Sequence, residues 1–232
     1  MSKKYQHLFF DLDRTLWDFK KSSHQAFEEM FEIHKLSDLG IENWKELHDK
    51  YEVHNQQLWD LYRIGEIEKS ILIWKRFSDT LEEYGINDPE LAHELGNDYV
   101  NISPRKVNLY PHVMEILAYL HPTYQMHIIT NGFQEVQNIK LETSGMDTYF
   151  KTLITSEEAG VKKPDPAIFE YALKKTGATS DNSLMIGDDY EVDIIGAGSI
   201  GMDQVFFDPE LQFPRNGSTY KISSLAELKD FL

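Results

Sequence analysis

The chain has 232 residues, 41% hydrophobic and 27% charged, which fits a globular protein built as one large domain or as a domain with a smaller one inserted. Its formal net charge is −16, and no dense Lys/Arg cluster offers a track for a phosphate backbone, so polymeric nucleic acid is not an expected partner. The absence of cysteine removes disulfides, thiolate zinc sites and a cysteine nucleophile, and no apolar run approaches the ~20 residues that cross a bilayer.

The few residues ahead of Asp11 are too short for a signal-peptide apolar run, so a cytoplasmic location with no membrane partner is expected. On that reading the Asn101-Ile102-Ser103 and Asn216-Gly217-Ser218 triplets are chance matches to the glycosylation pattern.

Leu8, Phe9 and Phe10 form a short apolar run, the pattern of a strand buried on both faces of a parallel sheet. The run ends in Asp11 and Asp13, with Thr15 two residues further. Residues two apart in an extended chain point the same way, so both carboxylates can converge just past the strand end. Two like charges that close call for a cation, although the pair taken alone equally suits an exposed acidic turn.

From about residue 17 to 105 the chain reads as successive helices. Apolar stripes predict helices over 21–36 (Ala26, Phe27, Met30, Phe31), 42–63 (Trp44, Leu47, Tyr51, Leu58), 67–84 (Ile67, Ile71, Trp74, Phe77) and 89–101. Beyond Val107 the pattern alternates. Helices are predicted over 111–120, 133–144 and 166–176, from about 190 to 199, and over 225–232. Strands are predicted over 125–130, 152–155, 183–186, 204–207 and 220–223. The alternation implies an α/β fold, a doubly wound parallel sheet of Rossmann-like type, with an all-helical insertion.

Ligands of parallel sheets bind beyond the carboxyl ends of the strands. Three predicted strands end in small or polar groups: Asp11, Asp13 and Thr15 after the first, Thr130, Asn131 and Gly132 after the second, and Gly187, Asp188 and Asp189 after the fourth, with Asp193 following. Between the last two lies the proline-stiffened loop Lys162-Lys163-Pro164-Asp165-Pro166. Carboxylates without thiols or clustered histidines suit a hard cation such as Mg²⁺. A lysine and a hydroxyl beside them suit a phosphoryl group, and Gly132 lets the backbone approach an anion. One carboxylate can attack phosphorus while a second serves as acid and then base.

In these four stretches the chain resembles the haloacid dehalogenase superfamily of phosphohydrolases. The resemblance implies a catalytic core of residues 1–16 and 106–232, and a helical cap of residues 17–105 inserted after the first motif. It implies Asp11 as nucleophile and metal ligand, and Asp13 as acid/base with its carbonyl on the metal. Thr130 and the Asn131 N–H are implied to bind phosphate. Lys163, favoured over Lys162 by its junction with proline, is implied to pair with the phosphoryl group and Asp11. Asp188 is the implied remaining Mg²⁺ ligand, and Asp193 supports the metal's water shell or the loop. Asp189 stands where many relatives carry serine or asparagine, which leaves its role open between the metal surroundings and the loop. An aspartate at position 13 points to phosphate rather than halide chemistry.

The stretch from Leu58 to Ile67, with Phe133 and the run from Ser156 to Val161, looks like the branch of pyrimidine-type 5′-nucleotidases. A nucleoside monophosphate is therefore the expected small phosphorylated substrate, on a monomer or dimer. Trp59 and Tyr62 suit either the cap core or stacking on a base. Alternatives are a sugar-phosphate phosphatase, a phosphoglucomutase-like enzyme and a non-catalytic phosphate-binding module. Gly196-Ala197-Gly198-Ser199-Ile200-Gly201 matches a dinucleotide fingerprint, but it lies late in a predicted helix rather than between strand and helix, and is read as helix packing and a helix stop.

Overall fold

His7–Phe10 forms β1, buried along its whole length, in the computed structural model, which describes residues 4–212 and 217–232. Around it lie β2 (Gln125–Thr130), β3 (Phe150–Thr155), β4 (Ser183–Gly187), β5 (Asp203–Phe207) and β6 (Tyr220–Ile222). They form one sheet in the order β3-β2-β1-β4-β5-β6, with every neighbouring pair parallel. This is the expected doubly wound α/β sheet. The strand order reverses at β1, so the crevice past β1 and β4 is a topological switch point, the usual ligand position in such sheets. Phe10 is level with Ile128 of β2 and Ile186 of β4, which brings Asp11, Thr130 and Asp188 to the same edge.

Alternation along β1 explains its unbroken apolar run. Leu8 and Phe10 join a core with Ile116, Leu117 and Leu120, whereas Phe9 joins Ile129, Met185, Ile168, Phe169 and Ala172 on the other face. Both faces are covered, so neither can carry solvent-facing polar residues.

The chain divides into two compact units, Met1–Phe19 with Val107–Leu232, and Lys20–Lys106. Four helices, α1 (Phe19–Ile33), α2 (Trp44–Arg63), α3 (Lys69–Glu82) and α4 (Pro89–Ile102), account for most of the second unit. Asn43 caps α2 by accepting from the Glu46 N–H, and Asp88 caps α4 by accepting from the Leu91 N–H, with Pro89 pre-set for the first turn. The core of this unit is aromatic: Phe27, Tyr51, Phe77 and Tyr99 meet ring to ring, and the buried Arg76 guanidinium lies 5.0 Å from the Tyr99 ring centre. Tyr62 is buried and meets the half-buried Trp59 edge to face.

The first unit continues with α5 (Val113–Leu120), α6 (Gln134–Ser144), α7 (Ser156–Ala159) and α8 (Pro166–Thr176). Several local predictions give way to tertiary detail. The first helix stops at Ile33 rather than 36, because Lys35 turns left-handed and starts a 3₁₀ turn that buries Leu36. The segment after Asp189 is a π-helix over Tyr190–Ile195 that becomes α only at Gly196–Gly198. The last segment, Leu225–Asp230, is 3₁₀ rather than α. The glycine-rich run packs as read: a Cβ on Gly196 would lie 2.7 Å from the Phe169 ring, and left-handed Gly201 ends the segment. Among the described residues no helix is long and apolar enough to cross a membrane. Asn216 lies outside the described residues, and Asn101 is exposed on α4.

Candidate active site

The strand ends deliver a buried charge cluster. The Lys163 ammonium donates to Asp11 Oδ1 at 2.7 Å and to Asp193 Oδ1 at 2.6 Å, and both the lysine and Asp193 are almost fully enclosed. Asp188 joins from the end of β4, where its Oδ1 accepts from the Thr15 hydroxyl at 3.0 Å. One carboxylate oxygen each from Asp11, Asp188 and Asp193 lies within 4.8 Å of the others.

Each member is held by its own local structure. The Asp11 N–H donates to the Ile186 carbonyl at 2.9 Å, extending the β1–β4 ladder by one residue and fixing the carboxylate at the sheet edge. Lys163 is clamped through its backbone: its N–H donates to Asn131 Oδ1 at 2.8 Å, and Asn131 Nδ2 donates to its carbonyl at 2.9 Å. Asn131 thus ties the loop before α8 to the end of β2. The Asp189 side chain accepts from the Glu191 and Val192 N–H groups at 3.1 and 3.0 Å, so here it caps the π-helical turn. That turn carries Asp193 back over Gly187, where an added Cβ would sit 2.3 Å from Asp193 Oδ2. A π-helical turn at this point agrees with the tendency of such turns to occur at functional sites.

Asp13 belongs to a different set of contacts. Its Oδ1 accepts from the Lys140 ammonium at 2.5 Å and its Oδ2 from Gln137 Nε2 at 2.9 Å. The same Gln137 nitrogen donates to Thr130 Oγ1 at 2.8 Å, which also accepts from the Gly132 N–H at 3.0 Å. Gly132 is needed for packing as well, since a Cβ there would fall 2.2 Å from Gln137 Nε2. The sequence reading missed Gln137 and Lys140. The signal available for them was their spacing: with Phe133 and Leu141 they share the buried face of α6, where polar residues are out of pattern.

The electrostatics of the first cluster are unbalanced, with three carboxylates facing one ammonium. Burial pushes the carboxyls of Asp11, Asp188 and Asp193 above their ordinary range, and Lys163 offsets this only partly at Asp11 and Asp193. The negative charges of Asp11 and Asp193 raise Asp188 further. Burial alone would lower the Lys163 pKa, but the charges of Asp11 and Asp193 overcome it and raise it. A buried group of all-oxygen donors with surplus negative charge is the setting that a hard divalent cation relieves.

A profile of the haloacid dehalogenase-like hydrolases matches residues 8–207. YfnB of Bacillus subtilis is 30% identical over 99% of this chain and 96% of its own. Its magnesium-bound crystal structure superposes with a TM-score of 0.87, at 28% identity and over 98% of each chain. The pyrimidine 5′-nucleotidase YjjG of Escherichia coli is 31% identical over 99% of this chain and 98% of its own, and the pyrimidine 5′-nucleotidase PynA of Streptococcus pneumoniae is 27% identical over 98% and 95%. The profile match opens in β1, closes at the end of β5 and takes in every residue of both clusters. On that span the chain belongs to the haloacid dehalogenase-like hydrolases.

Proposed function

We propose that the chain is a Mg²⁺-dependent phosphomonoesterase that passes its phosphoryl group through Asp11 and acts on nucleoside 5′-monophosphates. The observation that carries the mechanism is the separation of the two aspartates. Asp11 sits in the carboxylate–lysine cluster, and Asp13 is turned to Gln137 and Lys140. Residues two apart have been given the different environments that different roles require.

The donor set fits a divalent ion held by the Asp11 and Asp188 carboxylates and the Asp13 carbonyl. When bound there, Mg²⁺ supplies positive charge for the phosphoryl oxygens. The chain's own residues do the rest. Thr130, the Asn131 N–H and Lys163 hold the phosphoryl group. Asp11 attacks phosphorus, and an Asp11–phosphorus bond forms as the ester P–O bond breaks. Asp13 gives its proton to the departing oxygen. The Asp13 carboxylate then takes a proton from water as that water attacks phosphorus, which breaks the Asp11–phosphorus bond and releases inorganic phosphate. Asp193 holds Lys163 in place, and Thr15 holds Asp188.

The nucleotide assignment rests on YjjG and PynA, whose names give pyrimidine nucleotides as substrates, and on the motif stretches at Leu58–Ile67 and Ser156–Val161. We assign the Lys20–Lys106 unit the role of the cap. A phosphate-release panel of nucleoside monophosphates and sugar phosphates, with Asp11→Asn as blank, tests the substrate class. Pyrimidine 5′-monophosphates are expected to be turned over fastest. A flat profile, or preference for sugar phosphates, would remove the nucleotide assignment and leave the phosphatase chemistry standing.

A further inference from the structure

Gln137 and Lys140 stand where α6 should bury apolar residues, three apart on one helical face. An ammonium taken out of water gives up its hydration at a large cost, and an apolar side chain of similar size would fill the space without that loss. Lys140 is 3% exposed and Gln137 fully buried. The two direct donors at the two oxygens of one carboxylate, that of Asp13.

Their own freedom is removed in turn. The Lys140 ammonium lies 5.7 Å from the Trp17 ring centre and 5.6 Å from that of Phe19. Gln137 is wedged against Gly132, with its Nε2 shared between Asp13 and Thr130. Among the described residues its buried Oε1 finds no hydrogen-bond partner, so the amide is oriented for its acceptors at the expense of its own carbonyl.

We propose that Gln137 and Lys140 are positioning residues for Asp13, and that Gln137 also ties that orientation to the phosphate-binding hydroxyl of Thr130. The inference rests on the acid/base role proposed above for Asp13. Two donors from one rigid helix fix the carboxyl at both oxygens, and so place one oxygen for the proton it gives to the ester oxygen and later takes from water. A loosened carboxyl slows a proton transfer while leaving substrate binding in place.

The test compares two esters on the same preparations. Uridine 5′-monophosphate has an alkyl leaving oxygen that needs a proton, whereas the leaving group of p-nitrophenyl phosphate departs without one. Their kcat/KM ratio reports proton delivery in the first step and is blind to any unfolded fraction. In Lys140→Met the nucleotide kcat/KM is expected to fall about 10–10²-fold and the aryl kcat/KM less than about threefold, whereas in Gln137→Met, which also frees Thr130, both are expected to fall, the nucleotide value about 10-fold further. Lys140→Arg is expected to recover most of the ratio, and Asp13→Asn to lose it most. An unchanged ratio in both methionine variants, with the ratio lost in Asp13→Asn, overturns the positioning role alone. An unchanged ratio in Asp13→Asn overturns the acid/base reading beneath it.

Discussion

Asp11 and Asp13 share a strand end and little else. Asp11 is enclosed with Lys163, Asp188 and Asp193, and Asp13 keeps part of its surface open and answers to α6. Asp13→Asn should therefore lower kcat by about 10²–10⁴-fold in steady-state assays, the usual scale for a lost acid/base. Asp188→Asn should act differently. It removes one of three crowded negative charges, so the metal-free protein should gain roughly 1 kcal/mol in denaturant melts while losing activity. The pH dependence has a definite sign. Carboxyls raised on folding bind protons more tightly in the folded than in the unfolded chain, so their contribution favours folding at low pH and is lost as pH rises from the ordinary carboxylate range through their raised values. On the proposed reading, a bound cation would take the place of those protons. Calorimetry should accordingly show a larger Mg²⁺-induced rise in Tm at pH 8 than at pH 5, and almost none in Asp188→Asn.

Among the elements, the β1–β2 pair carries its own titration. His7 and His127 stack at 5.4 Å, Phe9 stacks on His127 at 4.9 Å, and His7 Nδ1 lies 3.2 Å from His127 Nε2. Burial holds both imidazoles below their ordinary range, with His127 lowered to about 4. The neutral ring is favoured on folding, so this contribution is complete above about pH 6.5 and is lost as pH falls toward 4. This runs against the Asp11 cluster's contribution, so the test is the difference: from pH 7 to pH 5, His127→Leu should gain Tm relative to the parent, and an equal slope in the two proteins would place the acid sensitivity elsewhere. The α/β alternation was legible because strands buried on two faces read as apolar runs, and helices as 3.6-residue stripes. The π-helical turn at Tyr190–Ile195 was not legible. It depends on Asp189 capping and on Asp193 reaching Lys163, contacts that periodicity does not encode. Gln137 and Lys140 were missed for a related reason: they serve a side chain contributed by β1, and nothing within α6 says what they face.

Across the whole molecule, Asp11, Thr130 and Asp188 reach one sheet edge through strand order, and they could be read because each lies at a strand end, whereas Lys163 and Asp193 are carried in by a clamped loop and a π-helical turn. Substrate identity was less legible, since the helical unit presents aromatic side chains such as Trp59 and Tyr62 that serve packing as readily as recognition. The net charge of −16 bears on any anionic substrate. Raising ionic strength from about 0.01 to about 0.15 M shortens the Debye length from ~30 to ~8 Å, and KM for a nucleotide should fall as the distant field is screened. A KM that rises instead would show that local positive charge governs approach. The central claim is the covalent role of Asp11, and the most direct measurement is acid quenching during turnover of p-nitrophenyl phosphate, followed by peptide mass analysis. The expected result is one phosphoryl group on the peptide carrying Asp11, more of it in Asp13→Asn, where hydrolysis of the intermediate lacks its base, and none in Asp11→Asn. Phosphate release at the wild-type rate from Asp11→Asn, or a phosphoryl group carried on any other residue, would contradict it.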